Sequence, residues 1–341
     1  MADKVRQFTI YRIKNLDRAE QEYYRTLQRT LDKIEDDVIK LAGRELPTQA
    51  GKLIELQSAI AIRPKIRTIL QTEFLGWANT VTKKGFNRQA KRIERSFKTI
   101  FEAARKKNKV TLEDLAKFSE LTKGDLELIR NLKLQTFTQF KDISNTFTKR
   151  LADKVYQNTL VGREFVELEK ELRKTINGIY SKSDDREAQK LVSFIKANKN
   201  KKSMQSEVDK AVATLQSKFA RDRAGDNMLK YSSQLLNDGL REFDAQVNAK
   251  KSFDAGLTFI KYFGDIIPTT RQICRDVLNG RYRKRKSNLF TIEEVRQLWQ
   301  RQSWSGKKSG DPLVVRGGYN CRHQWTYVNP DWYDKEGNLI I

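Results

Sequence analysis

Apolar residues recur along this chain at intervals of three and four, the spacing that places side chains on one stripe of a helix. Tyr24, Leu27, Leu31, Ile34, Val38 and Leu41 form one such seam. Pro47 follows and predicts the end of that helix, because proline lacks an amide donor and its ring clashes with the preceding turn. The same stepping returns at Phe140, Ile143, Phe147, Leu151 and Val155, and again at Leu168, Leu172 and Ile176. Two further seams are Val208, Val212, Leu215 and Phe219, then Leu236, Leu240, Phe243 and Val247. Between Pro64 and Pro268 there is no proline, which permits long unbroken helices. Thr111 before Glu113-Asp114 and Thr291 before Glu293-Glu294 read as helix starts: the hydroxyl accepts a free amide and the acids suit the positive end of the dipole. Lys196–Lys202 reads as an exposed loop between helices. No repeat of fixed period is present, which argues against a solenoid. Narrow seams flanked by charge are core-forming, and the one at residues 24–41 could equally pack against another subunit.

The pattern changes near residue 250. Eight of the 17 glycines and four of the five tryptophans fall beyond it. Gly317-Gly318 suits a positive φ or a close backbone approach that fixes Tyr319 and Asn320 in a turn. Gln324–Val328 then alternates around Trp325 and Tyr327, as a short strand does. The prediction is a mainly α protein of long helices and helical bundle, with a small mixed α+β module at the C-terminal end. Its divisions fall at residues 1–160, 161–250 and 251–341.

Composition sharpens this picture. The hydrophobic share of 38% is low and the charged share of 32% is high, which fits thin, extended packing with much solvated surface. The formal charge of +24 divides as +17 over residues 1–250 and +7 over 251–341, so no basic tail carries it. Diffuse positive charge favours sequence-independent contact with a nucleic-acid backbone, although lysines and arginines also solvate helix faces. The densest cationic run is Arg281-Tyr282-Arg283-Lys284-Arg285-Lys286, where phosphate contact with stacking on Tyr282 and a plain solvated loop are both open readings. Lys199, Lys201 and Lys202 form a second candidate contact. The first residues lack the apolar stretch of a secretory signal and no run approaches a membrane span, so cytoplasm-like conditions and no membrane partner are expected.

Candidate chemistry gathers around few residues. His323 is the single histidine, and both cysteines, Cys274 and Cys321, share its module. The three could supply zinc ligands, with Asp276 or a water as the fourth, although Cys274 stands 47 positions before Cys321 and the usual close cysteine pair is missing. Buried thiols in a local cluster, or a disulfide, are the alternatives. A lone histidine excludes a zinc protease motif that needs two. Ser305-Gly306-Lys307-Lys308-Ser309 is not a phosphate loop, since Lys308 stands where Ser or Thr should meet magnesium. No catalytic role is expected, and no cofactor other than zinc.

From Phe263 the chain presents Asp265, the pair Thr270-Arg271, Cys274 and Gly280, and later Asn320-Cys321-Arg322. This order resembles the closing module of Mu F-like head morphogenesis proteins of tailed bacteriophages. Gly162 with the helix after it, and Ala220-Arg221-Asp222 through Asn227 to Ser233, are more weakly similar to the helical half of that domain. The resemblance thus spans about residues 160–341, is specific only from Phe263 onward, and leaves 1–160 for assembly or DNA contacts. Two departures bear on metal or disulfide chemistry: Val277 stands where many members carry a second cysteine, and His323 where a cysteine is common. The resemblance implies a minor structural virion protein acting in head morphogenesis. Its partners would be the portal protein, the major capsid or scaffold protein and packaged double-stranded DNA, with oligomerisation through the portal or self-association. Its place would be the head interior or portal vertex, after assembly in the host cytoplasm. An internal protein ejected with the genome, or a general DNA-binding helical protein, are the alternatives.

Overall fold

The computed structural model describes residues 4–178, 227–282, 288–334 and 339–341, with isolated positions between 190 and 211. The protein is mainly α, with a small antiparallel sheet near its C-terminal end. The first seam lies on α1 (Lys4–Glu45), where Leu27, Leu31, Ile34 and Val38 are wholly buried. Each such side chain contributes roughly 1.5–3 kcal/mol by leaving water. The helix stops two residues before Pro47.

A small hairpin follows, β1 (Thr48–Gln49) and β2 (Lys52–Leu53). Its two-residue turn places both Ala50 (φ 50°) and Gly51 (φ 79°) in the left-handed region, as a type I′ turn demands. Next comes α2 (Leu56–Ile69), which runs straight through Pro64 on its exposed face. Proline does not break the helix here. Two π-helical turns follow, Leu70–Phe74 and Val81–Gly85, flanking α3 (Leu75–Thr80) and leading into α4 (Phe86–Lys106). Thr111 caps α5 (Leu112–Ser119) in a reciprocal box with Asp114. The long α6 (Lys123–Leu160) carries the buried Phe140, Phe147, Leu151 and Val155, and α7 (Phe165–Asn177) the buried Leu168, Leu172 and Ile176 before Gly178 ends it at φ 77°. Within the loop expected at Lys196–Lys202, Ala197 and Asn198 are helical, with the Asn198 amide donating to the Phe194 carbonyl (2.9 Å). Val208 of the fourth seam is buried, whereas Val212, Leu215 and Phe219 lie outside the described residues. The last seam, Leu236, Leu240, Phe243 and Val247, is buried along α8 (Met228–Asp254).

The chain divides into two compact units, each assembled from separated segments. One comprises residues 24–79 and 138–233. Phe74, Trp77 and Phe140 pack edge-on and stacked in its core, and Glu35 accepts from Arg173 (2.5 Å) and Asn177 (2.5 Å). Burial pushes the Glu35 carboxyl above its ordinary range against those two donors.

The other unit comprises residues 1–23, 80–137 and 234–341 and holds the candidate site. Its sheet has the order β4-β3-β5, from β3 (Phe259–Phe263), β4 (Phe290–Thr291) and β5 (Gln324–Val328), all antiparallel. Around it lie α9 (Gln272–Leu278), α10 (Ile292–Arg301) and the short α11 (Pro312–Val315). Every residue of β5 is buried, so the alternation in its sequence separates two covered faces and not a dry face from a wet one. Thr326 is satisfied by Thr9 of α1 (2.8 Å), while Trp325 packs on Tyr262, Phe290 and Trp299. Arg12 of α1 reaches the Trp325 carbonyl (2.8 Å), Asn248 (3.1 Å) and Asp244 (3.2 Å), a buried polar seam completed by Gln89 on Asp244 (2.8 Å).

Candidate functional site

The site is built where α9, the segment before β5 and the middle strand meet. Tyr262 on β3 pairs with Trp325 on β5. Its ring stacks on His323 with centroids 5.4 Å apart. The Tyr262 hydroxyl lies 3.5 Å from the Sγ of Cys274, in the first turn of α9, and 3.5 Å from the Sγ of Cys321. Cys321 Sγ is in turn 3.6 Å from His323 Nδ1. All four side chains are buried, and both cysteines are free thiols. The candidate metal ligands therefore converge, although 47 positions separate the cysteines.

Tyr262 is the member that sequence pattern alone missed. An aromatic residue in a short apolar run reads as core, and only the pairing of β3 with β5 brings its hydroxyl to the sulfurs. Asp276, the suggested fourth ligand, is turned elsewhere: it accepts from Gln272 (2.7 Å) and pairs with Arg281 (3.0 Å). Two residues beyond Cys274 on a helix, it lies on the opposite side of α9 from the group that Cys274, Cys321 and His323 form.

The electrostatics of the sulfurs are asymmetric. A hydrogen bond from Cys274 holds the Cys321 thiol well below its ordinary range, aided by His323 and the Arg316 guanidinium and opposed by burial. Cys274 is pushed up in exchange, first by Cys321 and then by burial. Burial, reinforced by the two sulfurs, drives the Tyr262 hydroxyl well above its usual range, so it stays protonated.

The remaining motif residues shape the backbone. Gly280 (φ 74°) closes α9: its amide donates to the Val277 carbonyl (3.1 Å) and the Arg281 amide to the Asp276 carbonyl (2.9 Å), the two bonds of a Schellman cap. The Thr270 hydroxyl accepts from the Ile267 amide (2.9 Å). Arg271 donates to the Ser305 (3.1 Å) and Tyr319 (2.8 Å) carbonyls, tying the start of α9 to both later loops. Gly318 sits at φ 97°, where a Cβ would come within 2.0 Å of the Gly306 carbonyl oxygen. Asn320, also at positive φ, donates its amide to Asp238 (3.0 Å) and accepts at Oδ1 from Asn237 (3.2 Å), both on α8. Burial raises the Asp238 carboxyl, with the Asn320 amide opposing it. Arg322 is half exposed and 3.7 Å from Glu20, whereas Asp265 is exposed on the loop after β3.

Two arginines are fully buried. Arg241 on α8 binds Asn237 (2.7 Å), Glu20 (3.0 Å), Asp17 and the Arg322 carbonyl (3.3 Å). Arg316, at φ 52°, donates to the Val314 (2.6 Å) and Arg241 (3.0 Å) carbonyls. The loop lysines are engaged as well: Lys307 donates to the Trp299 (2.6 Å) and Gln302 (2.7 Å) carbonyls, and Lys308 pairs with Glu242.

Of the cations assigned to phosphate contact, Arg281 is exposed, pairs with Asp276 and leans over the Tyr282 ring. Lys199, Lys201, Arg283, Lys284, Arg285 and Lys286 lie outside the described residues, as does the side chain of Lys202. Among the described residues no helix is long and apolar enough to cross a membrane. In comparisons with family models, curated proteins and solved structures, nothing matches this chain.

Proposed function

We propose that this chain is a minor structural protein of a tailed-phage head, a few-copy component that associates with portal and capsid shell during assembly and contacts packaged DNA. The reading rests first on the motif order from Asp265 to Arg322. One observation carries it beyond sequence order: Arg271, Cys274, Gly280, Asn320 and Cys321 have architectural roles, fixing helix ends, turns and loop carbonyls in one module. Such groups build a rigid attachment surface. The charge of +24 supplies the second support, since a protein beside packaged DNA gains from neutralising phosphates without reading bases.

The test is fractionation of the phage that encodes the chain. Procapsids and mature virions should both contain it, in a fixed ratio to portal protein. Particles emptied of DNA should retain it. Loss with the genome would move the assignment to an ejected internal protein, and absence from both particle types would remove the proposal.

A further inference from the structure

The geometry points to a structural zinc site in which Cys274, Cys321 and His323 are ligands and the fourth corner faces the Tyr262 hydroxyl. The inference does not depend on the role in a phage head. It starts from spacing. Tetrahedral zinc, with bonds of about 2.3 Å to sulfur and about 2.0–2.1 Å to nitrogen, holds neighbouring ligand atoms about 3.5–3.8 Å apart. The edge from Cys321 Sγ to His323 Nδ1 has that length at 3.6 Å, and the Tyr262 hydroxyl stands 3.5 Å from each sulfur on the side of the fourth corner. The donor atoms of the three ligands all lie within 4.8 Å of one another.

The backbone around the cluster is cut to let the sulfurs meet. A Cβ on Gly317 would stand 2.5 Å from Cys274 Sγ and 3.0 Å from Cys321 Sγ. Gly317 has no positive φ, so glycine there serves close approach and not a special turn. On the opposite side a Cβ on Gly264 would fall 2.3 Å from the His323 ring.

Hydrogen bonding accounts poorly for the same arrangement. Two thiols, a phenol and an imidazole meet without a carboxylate, at sulfur distances where hydrogen bonds are weak. His323 Nε2 is buried with no hydrogen-bond partner among the described residues, so the imidazole is held by its stack on Tyr262 and its Nδ1 contact with Cys321. A dication supplies what is missing. Each Zn–S bond forms as a thiol proton leaves to solvent, two thiolates neutralise the metal, and no electrons are transferred. The metal would clip α9 to the segment before β5, in a module whose sheet has three strands among the described residues.

The test uses the full chain, purified under reductant without a metal-binding tag. Elemental analysis should find one zinc per chain. After chelation, cobalt(II) should restore a thiolate-to-metal charge-transfer band that saturates at one equivalent, and zinc(II) should raise the melting temperature. Cys321→Ser should reduce bound zinc to a trace, while His323→Cys should retain one equivalent, because a third thiolate is an ordinary zinc ligand. If Cys321→Ser does not fold, the wild-type cobalt titration decides. Wild-type protein with only trace zinc, no charge-transfer band and two freely alkylated thiols would overturn the site. So would a Cys274–Cys321 disulfide in protein that takes up no zinc once reduced.

Discussion

Replacing Asp125 with asparagine should unfold a charged joint far more readily than surface ion pairs usually suggest. Asp125 is fully buried in the first turn of α6. It accepts from the Thr122 amide (2.9 Å) while Thr122 Oγ1 accepts from the Asp125 amide (3.2 Å), so it closes a capping box. It also faces Lys250 at 3.3 Å and the buried Lys251 at 3.6 Å, both on α8. Asparagine keeps an acceptor for Thr122 and so preserves most of the cap, which is worth about 1 kcal/mol. The charge is what disappears. Lys251 then keeps only the Glu120 carbonyl (2.6 Å) and the Phe97 ring face, and breaking a buried pair from one side costs about 3–5 kcal/mol. Burial already lowers the Lys251 pKa, so this lysine can shed its proton and soften the loss. A destabilisation of about 3 kcal/mol, the lower end of that range, is therefore expected.

Urea unfolding at neutral pH measures it, as a fall in midpoint with an unchanged slope. Removing both charges, in Asp125→Asn with Lys251→Met, should recover more than half of the loss, since no buried charge is then stranded. Acid supplies an independent check. Burial works to raise the Asp125 carboxyl, but the Thr122 amide, Lys251, the Thr122 hydroxyl and Lys250 together bring it below its ordinary 3.8. A carboxylate depressed on folding adds stability that is fully present above the unfolded value and is lost as pH falls through the folded one. The gap between wild type and Asp125→Asn should accordingly narrow below pH 3.8. A loss under about 1 kcal/mol at neutral pH, or a double variant no better than the sum of its parts, would refute the reasoning.

Two other outcomes follow from the C-terminal module. Gly318→Ala should destabilise by at least about 2 kcal/mol, because both its φ of 97° and the Gly306 carbonyl 2.0 Å from the new Cβ oppose it; a melting temperature equal to wild type would show that the two loops can separate freely. The full chain should bind double-stranded DNA without sequence preference and with steep salt dependence, and exchanging Arg283, Lys284, Arg285 and Lys286 for glutamine should flatten the log–log slope by about 0.9 for each phosphate that is no longer neutralised. Exchanging Lys307 and Lys308 should leave that slope unchanged, since carbonyls and Glu242 already occupy them.

Much of the helical architecture was written in local pattern. The seams on α1, α6, α7 and α8 needed only period and a stop signal, and the boxes at Thr111 and Thr291 needed only the spacing of a hydroxyl and an acid. Elements that depend on partners far along the chain were less visible. β3 carries Lys261 between Ile260 and Tyr262 and gains its identity from β4 and β5. The hairpin at residues 48–53 is too short for any periodic signal. Pro64, by contrast, lies inside α2 on its exposed face, so a proline there does not mark an element boundary. In the candidate site the two cysteines and the histidine were readable as chemistry-bearing types. Gly317 was readable as a close approach but not as one to sulfur, and Tyr262 and Gly264 were not readable at all, since a phenol aimed at sulfur and a space too small for a methyl group exist only after the sheet has formed.

The buried arginines change what the net charge means. A count of +24 treats every guanidinium as available to a polyanion. Several are not: in the C-terminal module Arg271, Arg275 and Arg316 each donate to main-chain carbonyls, and on the adjoining α8 Arg241 is enclosed by Asp17, Glu20 and Asn237. Arginine suits that task because its planar fork keeps its charge and satisfies several acceptors at once, where lysine would present one compact charge. A small sheet surrounded by long loops has many carbonyls that no ladder can pair, and each one left dry would cost more than the hydrogen bond is worth. The module therefore spends part of its cations on its own backbone. In the proposed role, phosphate binding falls chiefly to the helices of residues 1–250 and to the cationic run after Gly280. The same division predicts that loosening the module would expose carbonyls and free arginines together, raising affinity for DNA as stability falls.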